Sequence, residues 1–249
     1  MPGCSPVPHP HVSLLPDASA LEPLPRLSAH LGGVRVSVKR DDRGGRGAGG
    51  NKLRKYERLL GDALARGADT VVVAGHYQSN AARACVGACA QLGLAYVVVA
   101  KALIPSRGQT FERTGNALLM RLMGAGIVPI GPDDDFAAAL EATAADLRAR
   151  GKRPYLIPFG GSNLLGALGY VDAAREIREQ APDVDAVVVP CGSAGTQAGL
   201  VAGFHGTPTR VLGVSVLQSA PTARARVAAL ATKALVDLGD AAAVGSPRR

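Results

Sequence analysis

Tryptophan is absent from this 249-residue sequence, and aromatic residues make up only 4% of it. Proteins that bind single-stranded nucleic acids stack the bases on aromatic side chains, so this scarcity argues against such a partner. The formal net charge of +8 does not reverse that conclusion. Basic residues are spread along the chain and suit small anionic ligands at least as well. We therefore expect no nucleic-acid partner.

Long apolar runs are also missing. No stretch approaches the roughly 20 apolar residues of a membrane span, so we expect no membrane insertion. The first residues lack the basic and apolar regions of a secretory signal peptide, which makes a cytoplasmic location the default expectation. Apolar residues form 47% of the sequence and charged residues 19%, which is typical of a globular protein with a proper core.

Cysteine is scarce and poorly placed for metal binding. The four cysteines are Cys4, Cys85, Cys89 and Cys191. The middle two lie one helical turn apart in an alanine-rich stretch, where small buried thiols are common. No second pair of ligands accompanies them, so we expect no metal site.

Apolar strands alternate with helical patterns through most of the chain. The predicted strands are 70–74, 96–100, 127–130, 155–158, 186–190 and 211–216. Continuous apolar strands separated by amphipathic helices indicate parallel sheets that are covered on both faces. The sequence therefore predicts an α/β fold.

The two ends of the sequence have weaker patterns. Residues 1–30 are rich in proline, and we expect them to be extended and irregular. Val34, Val36 and Val38 alternate with polar residues, which predicts a half-buried strand. From Gly239 onward we expect an irregular tail without a strand.

A glycine-rich turn, Gly-Gly-Asn-Lys at 49–52, delivers Lys52 to the start of a predicted helix. An ammonium is misplaced there, because the helix dipole favours anions at its N-terminus. A lysine desolvated near positive charge has a lowered pKa and becomes a usable amine nucleophile. An ordinary surface lysine is the alternative interpretation.

Three polar loops, 78–80, 160–163 and 191–196, follow predicted strands. The last precedes a helix, so its backbone N–H groups and the hydroxyls of Ser193 and Thr196 can hold a phosphate. It matches neither the Walker A motif nor the dinucleotide fingerprint, and a purely structural turn is the alternative. Open α/β sheets bind ligands at the carboxyl ends of their strands, so the three loops and Lys52 can converge on one crevice.

Residues 78–80 are Gln, Ser and Asn, and they have a simpler interpretation too. Ser79 or Asn80 precedes a predicted helix, where serine and asparagine are preferred as N-caps. Both interpretations stay open from the sequence.

Five runs of residues occur together in this sequence, and they are 38–42, 49–55, 78–80 with Arg83, 160–170 and 192–199. In these runs the sequence resembles the pyridoxal-phosphate enzymes of fold type II, specifically the group of D-cysteine desulfhydrase and 1-aminocyclopropane-1-carboxylate deaminase. The resemblance implies two open parallel-sheet domains of the tryptophan synthase beta-like architecture. It implies a large domain made of residues 1–53 and 159–249, and a small domain made of residues 54–158.

The resemblance also implies roles for single residues. Lys52 would bind pyridoxal phosphate as a Schiff base, and Lys52 and Ser79 would be the catalytic residues that transfer protons. The implied cofactor-binding residues are Lys52, Lys55, Asn80, Gly192, Ser193, Ala194, Gly195 and Thr196. Gln78, Ser79 and Asn80 would bind the substrate, and Asn80 would also meet the 3-hydroxyl of the cofactor.

The reaction implied is that of a carbon–sulfur lyase, the α,β-elimination of D-cysteine or a related β-substituted amino acid to pyruvate, ammonia and sulfide. A 1-aminocyclopropane-1-carboxylate deaminase is one alternative. A catalytically impaired or non-catalytic ligand-binding relative is another. We expect a small amino-acid substrate, pyridoxal phosphate as the cofactor, and a homodimer.

The sequence departs from the family pattern in three ways. Ala81 stands where a histidine is usual, and Ala194 stands where a glycine is usual. The family also continues beyond the last predicted helix, so we expect the portion with the active-site tyrosine and the hydroxyl partner of the pyridine nitrogen to be missing. An incomplete sheet would expose an edge and apolar faces.

Overall fold

The computed structural model describes residues 9–15, 17–44, 49–101, 111 and 113–240. Predictions for the first eight residues, including Cys4, and for the tail at 241–249 lie outside the described residues. The described strands are β1 (Leu21–Pro23), β2 (Ser37–Lys39), β3 (Thr70–His76), β4 (Ala95–Lys101), β5 (Gly126–Ile130), β6 (Pro154–Ile157), β7 (Ala186–Cys191) and β8 (Arg210–Ser215). The described α-helices are α1 (Pro25–His30), α2 (Leu53–Ala65), α3 (Asn80–Gln91), α4 (Gly115–Leu122), α5 (Phe136–Ala149), α6 (Leu164–Gln180), α7 (Gly195–Gly203) and α8 (Ala220–Asp237).

Four strands form a parallel sheet in the order β5-β4-β3-β6. Successive residues of β3 face opposite sides of this sheet. Val71 and Val73 pack against α2, α3 and α4, whereas Val72 packs against α5. The strand is continuously apolar because both of its faces are buried, as the sequence predicted.

A second parallel sheet pairs β7 with β8. Val187 and Val189 pack against the cluster formed by α6 and α7. The opposite face is open, since Val188 is 66% exposed and Val214 is 56% exposed. This exposure agrees with the expected apolar faces. The two parallel sheets confirm the α/β class, while the domain boundaries at residues 53 and 158 stay a prediction.

The N-terminal region differs from its prediction. β1 and β2 form an antiparallel pair, and α1 follows β1 directly. The strand predicted from Val34 is wrong in extent. Val34 is 61% exposed, and the backbone N–H of Val36 bonds the Ser28 hydroxyl, so pairing with β1 starts only at Ser37. Strands as short as β1 leave no apolar periodicity to recognise.

Candidate active site

A cavity of about 340 Å³ lies where β3, β6 and β7 end. It brings together six predicted site residues, which are Lys52, Ser79, Gly192, Ser193, Ala194 and Thr196. A larger cavity of about 620 Å³ lies elsewhere, beside Arg66 and Arg153, and contains none of the predicted site residues. These predicted site residues therefore converge on the smaller cavity.

Lys52 stands immediately before α2, as predicted, and occupies the N-cap position. The turn before it needs glycine, since φ is +57° at Gly49 and +124° at Gly50. The Lys52 Nζ lies 3.4 Å from Asn51 Oδ1. Burial lowers the pKa of Lys52, and the charge of Asp41 partly opposes that shift. A lowered pKa increases the share of neutral amine near pH 7 and so favours a nucleophilic role.

Lys55 is fully buried one helical turn further along α2. Its ammonium donates to the carbonyl oxygen of Gly160 at 3.0 Å and to Ser162 Oγ at 3.1 Å. No carboxylate of the described residues forms an ion pair with it, and its pKa is far below the ordinary value, mainly through burial and then through the charge of Lys52. A buried cation surrounded by neutral partners is a site that an anion would complete.

The loop between β7 and α7 faces this lysine. Ser162 Oγ donates to Ser193 Oγ at 2.8 Å and accepts from the Gly195 N–H at 3.3 Å. A Cβ atom at Gly195 would lie 2.6 Å from Ser162 Oγ and 2.7 Å from Lys55 Nζ, so a larger residue there would have to displace both side chains. We call Lys55, Ser162, Ser193 and the N-terminus of α7 the anion cradle. A helix N-terminus, two hydroxyls and a buried ammonium fit a phosphate group.

Ala194 holds an unusual backbone conformation within the anion cradle. It is the one described non-glycine residue with a positive φ, at +72°. This left-handed conformation favours glycine because it brings Cβ close to the following carbonyl oxygen. The sequence already marked Ala194 as a position where glycine is usual.

Gln78 and Asn80 do not line the cavity. The Gln78 amide donates to the carbonyl oxygen of Phe111 at 2.6 Å and accepts from the backbone N–H of Asn116 at 2.9 Å, so it secures the start of α4. Asn80 is exposed and accepts from the Asn116 side chain. Their roles in substrate and cofactor binding stay predictions.

Ser79 lines the cavity and caps a helix at the same time. Its Oγ accepts from the Ala82 N–H at 3.1 Å, which confirms the N-cap interpretation for this serine. Its proton has no acceptor among the described residues, so the hydroxyl can still donate to a ligand. Both interpretations of Ser79 are therefore compatible.

Sequence reasoning missed His76, which also lines the cavity. Its ring packs edge-on against Phe136 and Phe159, at centroid distances of 5.8 Å and 5.1 Å. Burial is the main reason that its pKa lies below the ordinary value, and its Nδ1 has no hydrogen-bond partner among the described residues. The signal was present, because a titratable residue at the carboxyl end of a buried strand is a candidate site residue.

Metal and membrane features can be stated for the described part of the chain. It contains no group of three or more His, Cys, Asp or Glu side chains arranged to hold a metal ion. None of its helices combines the length and the apolar character that crossing a bilayer requires.

A lysine at a helix start, an anion cradle and strand ends that converge on one cavity define the site of an α/β enzyme with a phosphorylated cofactor. A family model described as "Pyridoxal-phosphate dependent enzyme" matches residues 12–246. The chain belongs to this family, and pyridoxal phosphate is its cofactor. The predictions of an enzyme of fold type II and of its cofactor are thereby confirmed.

Individual relatives agree with this placement. The chain is 43% identical to a D-cysteine desulfhydrase of Klebsiella pneumoniae over 226 residues, which cover 89% of this chain and 69% of the relative. It is 42% identical to a D-cysteine desulfhydrase of Salmonella paratyphi C over the same shares. Among solved structures, an ACC deaminase homologue matches with a TM-score of 0.82 and 36% identity, covering 93% of this chain and 70% of that one.

Proposed function

We propose that this protein catalyses the α,β-elimination of D-cysteine, or of a related β-substituted amino acid. The observation that carries the proposal is that Lys52 lines the same cavity as Ser193, the member of the anion cradle that bonds Ser162 and, through Ser162, connects to Lys55. The 43% identity to a D-cysteine desulfhydrase supports this choice of substrate. Water enters the overall reaction, and pyruvate, ammonia and sulfide leave it.

The residues present fit pyridoxal phosphate. The anion cradle would hold the phosphate, and Lys52 would attach the cofactor covalently through its amine. When bound, pyridoxal phosphate supplies an electron sink for the electron pair left at the substrate α-carbon. The buried and uncompensated charge of Lys55 is the strongest reason for this fit, because a phosphate would neutralise it.

Lys52 and Ser79 would handle protons. A neutral Lys52 amine can accept the proton from the α-carbon, because burial lowers its pKa. The free proton of the Ser79 hydroxyl can bond the substrate carboxylate. The sulfur leaves the β-carbon with its bonding electrons and is released as sulfide, so the reaction needs no oxidant or reductant.

Phe159, Val216 and Leu217 line the cavity beside the polar residues. Val216 is 65% exposed and Leu217 is 52% exposed, so this side of the cavity is open to water among the described residues.

A deaminase of 1-aminocyclopropane-1-carboxylate is the second candidate function, favoured by the solved ACC deaminase homologue at 36% identity. Both reactions release ammonia but differ in the other products. D-cysteine gives pyruvate and sulfide, whereas opening the cyclopropane ring and hydrolysis give a four-carbon 2-oxo acid. Incubating the protein and pyridoxal phosphate with each substrate and measuring sulfide and both oxo acids separates the two functions.

The direct test of the proposal is Lys52→Ala. We expect borohydride reduction to fix the cofactor on the peptide that contains Lys52, and the variant to lose both this label and sulfide release. Lys101→Ala is the matched control, because Lys101 does not line the cavity. A label on Lys39 or Lys101, with Lys52 unmodified, would show that the assignment is wrong.

We also propose that the protein is a cytoplasmic homodimer, as the family resemblance implies. Light scattering on the eluting protein during size-exclusion chromatography tests the dimer. A single species with the mass of one chain, 25.4 kDa, would contradict it.

A further inference from the structure

Tyr170 of α6 contacts the residue that precedes the reactive lysine. Its hydroxyl donates to the backbone carbonyl oxygen of Asn51 at 2.7 Å and accepts from Asn51 Nδ2 at 2.9 Å. The tyrosine is only 4% exposed, whereas its partner Asn51 is exposed, so both bonds are partly buried. One buried hydroxyl therefore holds both the main chain and the side chain of Asn51.

This contact fixes which way the Asn51 amide points. Since Nδ2 faces Tyr170, Oδ1 is left to face Lys52 Nζ at 3.4 Å. Burial raises the pKa of Tyr170 well above its ordinary value, so its hydroxyl remains protonated and can donate. Tyr170 therefore contacts Asn51, and Asn51 in turn contacts the Lys52 amine.

The packing of α6 gives Tyr170 a fixed position. A Cβ atom at Gly169 would lie 2.0 Å from the carbonyl oxygen of Arg54, so α6 touches the backbone of α2. On its other side α6 meets α7, where a Cβ atom at Gly199 would lie 2.5 Å from Tyr170 Cβ. The tyrosine thus lies between the lysine turn and the anion cradle.

We propose that Tyr170 is a positioning residue that acts through Asn51 to set the place and the protonation of the Lys52 amine. The turn at Gly49 and Gly50 is built from glycines with positive φ, and these hold their conformation poorly without outside contacts. Tyr170 supplies such contacts from a packed helix. The role in catalysis rests on the proposed function, whereas the effect on the Lys52 amine does not.

Tyr170→Phe tests the inference, with Tyr155→Phe as its matched control. Tyr155 donates one partly buried hydrogen bond, to Asp62 at 2.8 Å, and this bond involves neither Asn51 nor Lys52. The full chain is mixed with pyridoxal phosphate, and borohydride traps the cofactor that has become attached at Lys52. The rate of this attachment should fall about 10-fold in Tyr170→Phe, as expected for the loss of two hydrogen bonds. The control should stay within about twofold.

A second measurement uses the cofactor-free protein. Competitive acetylation of Lys52 across pH, followed by peptide mass spectrometry, reports the pKa of its amine. We expect Tyr170→Phe to raise that pKa towards the ordinary lysine value, because a released turn relieves the burial that lowers it. Equal behaviour of the two tyrosine variants in both measurements would overturn the inference. A wild-type chain that never attaches the cofactor at Lys52 would contradict the proposed function but leave this acetylation test intact.

Asn51→Ala provides a second test if Tyr170→Phe folds poorly. Because Asn51 is exposed, we expect its substitution to leave folding intact. We expect this variant alone to slow attachment at Lys52. The double variant should be no slower than Tyr170→Phe, since both changes interrupt one route. If the double variant instead slowed attachment by the product of the two single effects, Tyr170 and Asn51 would act independently, which would contradict the route through Asn51.

Discussion

The Ser162 hydroxyl donates a hydrogen bond to the Ser193 hydroxyl at 2.8 Å, joining the loops that follow β6 and β7. Lys55 donates to the same Ser162 oxygen from α2. The anion cradle is therefore assembled from three separate parts of the chain. Its properties can be tested one residue at a time.

Lys55→Met should weaken the binding of pyridoxal phosphate by about 10- to 100-fold. A hydrogen bond to a charged group contributes about 1.5–3 kcal/mol, and methionine fills a similar volume without a charge. The cofactor-free variant should be at least as stable as the wild type, because a buried and uncompensated charge is removed. Cofactor titration and urea unfolding measure the two effects.

Lys39→Met is the control for that experiment. Lys39 bonds Glu176 and Gln180 outside the cavity. Its loss should lower stability without changing cofactor affinity. If the Lys55→Met and wild-type proteins bound pyridoxal phosphate equally well, Lys55 would not contribute to anion binding.

The stability of the cofactor-free protein should rise with pH relative to Lys55→Met. The pKa of Lys55 in the folded state lies below the ordinary 10.5, so the unfolded chain binds more protons between these two values. Stability increases with pH wherever the unfolded state binds more protons. The advantage of Lys55→Met should therefore shrink as the pH rises from the folded-state pKa of Lys55 towards 10.5, as measured by urea unfolding. A pH-independent difference would mean that Lys55 is not desolvated.

Ala194→Gly should stabilise the protein by about 0.5–1 kcal/mol. Relief of the left-handed conformation contributes about 1–2 kcal/mol, and the added freedom of the unfolded chain opposes it by about 0.4–1 kcal/mol. Urea unfolding with and without pyridoxal phosphate measures the change. Destabilisation would show that the Ala194 methyl makes packing contacts that outweigh its strain.

Gly160→Ala should disrupt the anion cradle, because its Cβ would lie 2.2 Å from Ser193 Oγ. Gly93→Ala is the matched control. It has a similar positive φ, +70° against +66°, but nothing lies within 4 Å of its Cβ. Both variants should lose about 1–2 kcal/mol of stability from strain, and only Gly160→Ala should also lose cofactor affinity. Equal affinities in the two variants would show that Ser193 moves aside without consequence.

The sequence by itself determined the α/β class, the six parallel strands and the position of Lys52 at the start of α2. Apolar periodicity records whether each face of an element is buried, and that information is local. It also pointed to the loop before α7, because the glycines there occupy a strand-to-helix turn. Comparison with known proteins then confirmed the family that the motifs had suggested.

Only the tertiary structure decided which side chains meet. It directed Gln78 to the start of α4, placed His76 in the cavity wall, and buried Lys55 beside Ser162, 107 residues further along the chain. No local pattern encodes such a contact, since it depends on how α2 packs against distant loops. The pairing of β1 with β2 was missed for the same reason, because short strands are stabilised by their partner and not by a periodicity of their own.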